Sequence, residues 1–159
     1  MGVAVITIDI PGRAVLEIEH VLLDYNGTIA ADGALTPGVA ELITSLTQCV
    51  HVEVLTAETY GTVQTQCGPL VVEVVTFPRA GAAAFKQAYA QKLEGQIACL
   101  GNGYNDVEMF DESDLRIAVL DTEGTYAGLL AHADILARSA AEALALLLNT
   151  DRIRATLRT

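Results

Sequence analysis

Positive charge is scarce in this sequence. Nine lysine and arginine residues stand against 20 aspartate and glutamate residues, which gives a formal net charge of −11. An electric field of that sign repels nucleic acid and anionic lipid, so the composition argues against a nucleic-acid-binding or peripheral membrane protein. The same field opposes an anionic substrate unless a cation or a local basic group offsets it.

Cysteine and histidine are also few. The three cysteines form an odd set without a CxxC pair, and the three histidines show neither HxH nor HExxH spacing. Both patterns argue against a zinc site or a disulfide framework. Cys49 and Cys99 each border an apolar run, and we expect them to be buried as small hydrophobic residues.

Long apolar runs are absent too. No run approaches the roughly 18 residues of a membrane span, and residues 1–10 lack the basic start of a signal peptide. We therefore expect a cytoplasmic protein. The chain has 159 residues, 52% of them hydrophobic, which favours a single folded domain over residues 1–159.

Strand-like and helix-like segments alternate along the chain, which predicts an α/β fold with a three-layer, Rossmann-like parallel sheet and helices on both faces. An N-terminal β-hairpin within residues 1–19 precedes it, turning at Pro11-Gly12. The hairpin strands are Val3–Asp9 and Ala14–Glu19, and the later predicted strands are His20–Asp24, Val50–Leu55, Val71–Phe77, Gln96–Leu100, Leu115–Leu120 and Ile135-Leu136. The predicted helices are Pro37–Gln48, Thr59–Cys67, Gly81–Leu93, Asn105–Phe110, Gly124–Ala131 and Ala140–Leu148, followed by a basic tail, Arg152–Arg158.

Polar side chains follow the predicted strands where ligands of such sheets bind, at the carboxyl ends. Asp24 ends one strand, Thr56 follows another, and Asp106 begins a helix after a glycine-rich turn, while Lys86 lies in the preceding helix. This set suits phosphoryl transfer. Asp24 is a candidate nucleophile, Thr56 and Lys86 can hold phosphoryl oxygens, and the two aspartates can chelate Mg²⁺. Metal and lysine would offset the net negative charge.

Four segments in order resemble the four motifs of the haloacid dehalogenase (HAD) superfamily of aspartyl-phosphate phosphotransferases. They are Asp24-Tyr25-Asn26-Gly27-Thr28, Leu55-Thr56-Ala57-Glu58-Thr59, Lys86 and Gly101-Asn102-Gly103-Tyr104-Asn105-Asp106. More narrowly, these motifs, the N-terminal hairpin and the basic tail are similar to soluble P-type-ATPase-like phosphatases. The resemblance covers essentially the whole chain.

The resemblance implies a role for each matching residue. Asp24 matches the nucleophile and a metal ligand, and the backbone carbonyl of Asn26 matches a second ligand. Asp106 and Asn102 match positions at the metal. Thr56 and Lys86, with Gly27 and Asn105, match residues that contact phosphate. Arg79 and Lys92 remain alternatives to Lys86 as the phosphate-holding cation, and Thr56 remains an alternative N-cap for the helix that follows it.

Two positions depart from the family pattern. Phosphatases of the superfamily carry an acid–base aspartate where this chain has Asn26, and many relatives carry an aspartate where it has Asn102. An amide cannot exchange a proton at neutral pH, so we expect slow turnover or a leaving group that needs no proton, such as an acyl or aryl phosphate. Glu58 is a candidate substitute base.

The motif spacing leaves no room for a cap domain. The superfamily inserts caps between the first two motifs or between the second and the lysine, and these intervals are only 32 and 30 positions here. The site is then open, and we expect a homo-oligomer.

Three functions follow from these residues. The first is a Mg²⁺-dependent phosphatase acting on a small phosphorylated molecule through an aspartyl phosphate. The second is a phosphate-responsive regulatory or interaction module, related to the P-type ATPase phosphorylation domain, with little turnover. The third is a structural relative that has lost Mg²⁺.

Overall fold

The computed structural model describes residues 4–57 and 61–159. Its strands are β1 (Ile6–Ile8), β2 (Leu16–Asp24), β3 (Ala30–Ala31), β4 (Ala34–Leu35), β5 (His51–Thr56), β6 (Glu73–Thr76), β7 (Gln96–Gly101), β8 (Leu115–Val119) and β9 (Ile135–Ala137). Its helices are α1 (Val39–Leu46), α2 (Thr62–Cys67), α3 (Ala82–Lys92), α4 (Val107–Asp111), α5 (Ala140–Leu148) and α6 (Thr150–Leu157), with 3₁₀ turns at Tyr104–Asp106 and Ala127–His132.

The main sheet has the strand order β6-β5-β2-β7-β8-β9, with every pair in this row parallel. The chain moves outward from β2 through β5 to β6, then returns to the other side of β2 and continues from β7 to β9. Such a reversal of direction leaves a crevice at the carboxyl ends of the strands on either side of it. The topology therefore brings the ends of β2, β5 and β7 together.

Helices cover both faces of the sheet, as the sequence predicts. Side chains alternate along β2, so that Val21 and Leu23 belong to one apolar core and Leu22 to the other. The first core includes buried residues of α1, α2, α5 and α6, and the second includes buried residues of α3, α4 and the 3₁₀ turn at Ala127–His132. Within the described residues, no further domain covers the carboxyl end of the sheet.

One predicted boundary is wrong. The segments Ala14–Glu19 and His20–Asp24, expected as separate strands, form the single strand β2. No turn residue separates them, so the strand continues. Its beginning pairs antiparallel with β1, and its pairing with β7 shifts register between Ile18 and His20.

The basic tail, for which the sequence predicted no conformation, lies largely in helix α6. Helix α6 buries Ile153 and Leu157, four residues apart on one face, while its arginines point outward. The Arg154 side chain donates a hydrogen bond to the backbone oxygen of Asp9 at 2.7 Å, which joins α6 to the segment after β1. The helix is hard to predict from the sequence because Ile153 and Leu157 are surrounded by charged and polar residues.

Smaller differences occur in the loops. The segment Gly124–Ala131, predicted as a helix, contains a 3₁₀ turn from Ala127 instead, and the small hairpin β3–β4 was not predicted. Cys99 is buried as expected, whereas Cys49 is exposed because it lies in the turn after α1. No helix in the described part of the chain is long and apolar enough to cross a bilayer.

Candidate active site

Asp24 and Lys86 meet across the layer between the sheet and α3. Asp24 is the last residue of β2 and alternates onto the same face as Leu22, toward α3. Helix α3 buries a stripe of residues on that side: Ala82, Lys86, Tyr89 and Ala90. Lys86 is only 2% exposed, and burying an ammonium in an apolar stripe is costly unless the charge is paired.

The Lys86 ammonium has three acceptors. It donates to Asp24 Oδ1 at 2.9 Å, to Asp106 Oδ1 at 2.8 Å and to Asn105 Oδ1 at 3.0 Å. These contacts use all three of its N–H groups. Burial opposes the charged form, but the two carboxylates outweigh burial and raise the pKa of Lys86 above its ordinary value. The lysine is therefore a permanent cation.

At Asp24, in contrast, burial affects the pKa more than the oppositely charged neighbour does. Burial and the nearby Asp106 carboxylate raise its pKa, against the opposing effect of Lys86. Its second oxygen, Oδ2, accepts a hydrogen bond from the Thr28 hydroxyl at 3.0 Å. Two buried carboxylates thus share one ammonium, which leaves a deficit of positive charge beside Asp24.

Asp106 is fully buried beneath the loop after β7. Its Oδ2 accepts the backbone N–H groups of Asn102 at 3.1 Å and Gly103 at 3.0 Å. A β-carbon on Gly101 would lie 2.6 Å from that oxygen, so only glycine allows the carboxylate to approach the backbone here. Asp106 therefore fixes both the glycine-rich loop and the position of Lys86.

Asn102 joins this loop to the loop after β2. Its Oδ1 accepts from the Thr28 hydroxyl at 3.2 Å, and its Nδ2 donates to the backbone oxygen of Gly124 at 3.1 Å. Gly27 has φ +80°, and a β-carbon there would lie 2.5 Å from Asn102 Nδ2. The glycine is needed both for its backbone conformation and for this close approach.

These groups open into a cleft of about 360 Å³ at the carboxyl end of the sheet. It is lined by Asp24, Asn26, Thr56, Ala57, Phe77, Lys86, Asn102, Gly103, Tyr104 and Asn105. Six predicted site residues are in this lining, Gly27 packs behind Asn102, and Asp106 is buried below the loop. The structure thus brings together all eight residues that the sequence singles out.

The alternatives at two positions are separated by the geometry. Arg79 is exposed outside the cleft lining, and the Lys92 ammonium lies 4.4 Å from the ring centroid of Tyr89, so Lys86 is the one of the three that contacts Asp24. Helix α2 begins at Thr62 with Gly61 as its N-cap, so Thr56 does not cap it. Glu58 lies outside the described residues.

Three residues of the site have no role in the sequence argument. Thr28 connects Asp24 to Asn102 through one hydroxyl, and Phe77 and Tyr104 add aromatic surface to the cleft. Thr28 is four residues after Asp24, a separation that predicts contact only if the loop between them turns tightly. For Phe77 and Tyr104 the only signal is that each follows a strand.

The oxygens beside Asp24 fit a hard divalent cation. Asp24 offers a carboxylate, and Asn102 offers an amide oxygen that shares the Thr28 hydroxyl with it. No cluster of three or more His, Cys, Asp or Glu side chains suited to a metal occurs in residues 4–57 and 61–159. This donor set suits Mg²⁺, which keeps several waters and needs only one or two carboxylates.

Comparison with solved structures shows the fold. A KDO 8-phosphate phosphatase from Moraxella catarrhalis superposes with a TM-score of 0.70 at 15% identity, over 89% of this chain and 94% of that one. A Streptomyces avermitilis protein assigned to the HAD family of hydrolases superposes with a TM-score of 0.64 at 20% identity, over 82% and 84% of the two chains. The chain has the fold of the HAD superfamily.

The neighbours with the HAD fold include metal-bound phosphatases. The Moraxella protein is in complex with magnesium, phosphate and KDO, and a related phosphatase from Haemophilus influenzae, with a TM-score of 0.70 at 13% identity, is in its cobalt-bound form. The Haemophilus match covers 89% of this chain and 94% of that one. No protein-family profile matches the sequence.

Sequence comparison finds an archaeal relative. The uncharacterized protein MJ0073 of Methanocaldococcus jannaschii is 38% identical over 63 residues, which are 40% of this chain and 68% of that protein. The two proteins belong to one family.

Proposed function

We propose that this protein is a phosphohydrolase that takes a phosphoryl group from a small phosphorylated molecule onto Asp24 and then passes it to water. The observation that carries this proposal is the buried Asp24 carboxylate at the cleft, held by Lys86 on one oxygen and Thr28 on the other. Both partners favour the ionised form of this carboxylate, which is the form that can attack phosphorus.

The reaction proceeds in two displacements. An oxygen of Asp24 bonds to phosphorus while the bond between phosphorus and the leaving oxygen breaks, and the leaving group departs with the electron pair. Lys86 and the Thr56 hydroxyl hold the phosphoryl oxygens as charge develops on them. A water oxygen then bonds to the same phosphorus while the bond between phosphorus and the Asp24 oxygen breaks. The electron pair of that bond restores the Asp24 carboxylate, one proton of the water passes to bulk water, and phosphate leaves.

Asp106 acts as a positioning residue in this proposal. One of its oxygens holds the Lys86 ammonium, and the other holds the backbone of the loop that carries Asn102. Because it is fully buried, it keeps these groups in place without touching the substrate.

A Mg²⁺ ion would be held by Asp24, the backbone carbonyl of Asn26 and the amide oxygen of Asn102. Asp106, also expected at the metal, is fully buried outside the cleft lining, with its oxygens on Lys86 and the loop backbone, and is not assigned as a ligand. When bound, it supplies positive charge that offsets the two carboxylates and the incoming phosphate. The charge deficit at Asp24 and the oxygen donors around it support this assignment, as do the metals in structures with the same fold.

Asn26 limits the chemistry. It lines the cleft, but its amide has no proton to give at neutral pH. The leaving group must therefore depart as a stable anion, which favours acyl and aryl phosphates over alkyl phosphates.

Hydrolysis of p-nitrophenyl phosphate tests the proposal. We expect phosphate release that requires Mg²⁺ and is lost in Asp24→Asn, with circular dichroism showing that this variant stays folded. The matched control is Asp9→Asn, which removes an exposed carboxylate far from the cleft and should leave the rate unchanged. Equal rates in Asp24→Asn and the original protein would contradict the proposal.

A second function is favoured by the same asparagine. Without an acid–base group, Asp24 could hold a phosphoryl group for a long time and act as the phosphate-responsive part of an interaction module. A stable beryllofluoride complex and a persistent acyl phosphate, with negligible turnover of any aryl phosphate, would favour this module over the hydrolase.

The open cleft supports an assembly of several copies, since a neighbouring subunit could cover it. Sedimentation at working concentration tests this expectation, and a single species of about 17 kDa would contradict it, since the chain mass is 16.8 kDa.

A further inference from the structure

Two aromatic side chains border the cleft from opposite sides of β2. Phe77 follows β6 and is buried, with its ring stacked on Phe85 at 4.6 Å between centroids. Tyr104 follows β7 and is 71% exposed, although it lines the same cleft as Asp24. Because β6 and β7 lie on opposite sides of β2, the cleft that contains Asp24 has an aromatic ring in its lining on each side.

The exposed ring of Tyr104 is supported by a second tyrosine. It meets Tyr126 in an edge-on arrangement, with 5.2 Å between centroids and 70° between ring planes. Such pairs are favourable because the positive edge of one ring faces the negative face of the other. The contact favours one orientation of the Tyr104 ring.

Tyr126 is itself fixed to the active-site loop. Its backbone N–H donates to the backbone oxygen of Asn102 at 2.7 Å, and the Asn102 side chain donates to Gly124. Its ring rests on Gly128, where a β-carbon would lie 2.5 Å from the ring. The aromatic pair is thus positioned by the same residue, Asn102, that contacts Thr28 beside Asp24.

The charges of the cleft limit what can bind between these rings. Among the described residues that line the cleft, Lys86 is the single cation, and the proposed reaction assigns it to the phosphoryl group. No described basic side chain in the lining is available for a second anionic group, such as the carboxylate of a sugar acid. A leaving group that enters this space should be uncharged and flat.

We propose that Tyr104 determines substrate specificity by stacking on the aromatic leaving group of an aryl phosphate. This inference rests on the hydrolase proposed above and narrows its substrate class. It joins two independent features, since a phenolate also departs without the proton that Asn26 cannot supply. Aryl phosphates therefore satisfy both the shape of the entrance and the chemistry at Asp24.

Kinetics with two substrates test the inference. We expect Tyr104→Ala to raise KM for p-nitrophenyl phosphate about 5-fold with little change in kcat, as expected for loss of one aromatic contact. Acetyl phosphate has no ring, so its KM should not change. Tyr104→Phe keeps the ring and should behave like the original protein, and Val71→Ala provides a control at an exposed apolar residue outside the cleft.

The outcomes separate this inference from the proposed function. If Tyr104→Ala changes both substrates equally, or if Tyr104→Phe shows the same loss, stacking is wrong while the hydrolase stands. If neither substrate is hydrolysed, the hydrolase is wrong, and calorimetry with phenylphosphonate and methylphosphonate decides the stacking. Tighter binding of phenylphosphonate that is lost in Tyr104→Ala would support the contact, and equal binding would overturn it.

Discussion

The α3 face of the sheet carries two groups of ionisable side chains, one at each end of the strands. The carboxyl-end cluster consists of Asp24, Lys86 and Asp106, in which every carboxylate oxygen has a hydrogen-bond donor. The amino-end cluster consists of His20, His51, Glu53 and Glu73 on β2, β5 and β6. There, Glu53 Oε2 is buried without a partner among the described residues.

The amino-end cluster depends on a proton rather than on a fixed cation. His20 Nε2 donates to the backbone oxygen of Glu94 at 3.0 Å, so its Nδ1 can bond Glu53 Oε1, 2.9 Å away, only if one more proton lies on either side chain. Burial raises the pKa of Glu53, and Glu73 adds to the rise against the effect of His20. The lysine of the carboxyl-end cluster is always charged, whereas the contact between His20 and Glu53 needs an added proton.

Removing the fixed cation should have the largest effect. We expect Lys86→Met to lower the free energy of unfolding by about 3–5 kcal/mol, because two carboxylates remain buried without their partner. Urea denaturation at pH 7.5 measures it. Lys92→Met, an exposed lysine of the same helix, is the matched control and should cost no more than about 1 kcal/mol, the worth of its exposed contact with the Tyr89 ring. A similar loss in both variants would break the distinction between the clusters.

The next largest effect is expected on catalysis, when a proton donor is added to the cleft. Asn26→Asp places a carboxylic acid in the cleft, and we expect kcat for an alkyl phosphate to rise about 10²-fold, at the low end of what acid–base help supplies. Aryl phosphates should gain less, since their leaving groups need no proton. An equal gain for both substrates would mean that protonation of the leaving group is not what Asn26 withholds.

The two aspartates of the carboxyl-end cluster should differ in stability. Asp106→Asn should cost about 1–3 kcal/mol, because an amide cannot accept from two backbone N–H groups and also from Lys86. Asp24→Asn should change stability by less than about 1 kcal/mol, since its raised pKa shows that folding disfavours its charge. Thermal denaturation of both variants measures these losses. A larger loss in Asp24→Asn than in Asp106→Asn would show that Asp24 contributes more to stability.

The smallest effect is expected at the amino end. The raised pKa of Glu53 means that the folded state holds its proton more tightly, so its contribution to stability falls as pH rises from the ordinary glutamate range toward the folded pKa. Glu53→Gln removes this loss. We expect its Tm to exceed that of the original protein by about 2–4 °C at pH 8, which corresponds to about 1 kcal/mol, with the difference vanishing near pH 4.5.

An exposed carboxylate provides the reference for that measurement. Glu41→Gln changes a residue on the outer side of α1 and should give the same Tm difference at both pH values. If Glu53→Gln behaves in the same way, the amino-end cluster does not titrate with folding.

Two members of the carboxyl-end cluster, Asp24 and Asp106, could be predicted because each follows a strand, whereas Lys86 was predicted from the resemblance to the HAD motifs, with Arg79 and Lys92 as alternatives. For these two aspartates, and for Thr56 in the cleft, the alternation of strands and helices and the rule that parallel strands end at one edge were enough. The amino-end cluster could not be predicted in this way. His20 and His51 are scattered in the sequence, and only the register between β2 and β5 stacks their rings, 5.5 Å apart.

The aromatic pair was also beyond sequence reasoning. Tyr104 and Tyr126 lie on two loops, and their contact depends on the hydrogen bonds of Asn102 to the second loop. Asn102 was predicted for another reason, as a residue near a metal. Nothing in the sequence indicates that the Asn102 side chain donates a hydrogen bond to the backbone oxygen of Gly124, 22 positions later.

The order in which these residues leave the ribosome follows from the sheet topology. Strand β2 is synthesised early, but β7, its partner on one side, begins only at Gln96, and Asp24 receives its lysine at position 86 and the Asp106 loop later still. A nascent chain that has exposed only its first 80 residues therefore has β2 without its partner β7. It also has Asp24 without its counter-ion, Lys86. Until α4 has been synthesised, a chaperone or protease would encounter the chain with this incomplete sheet.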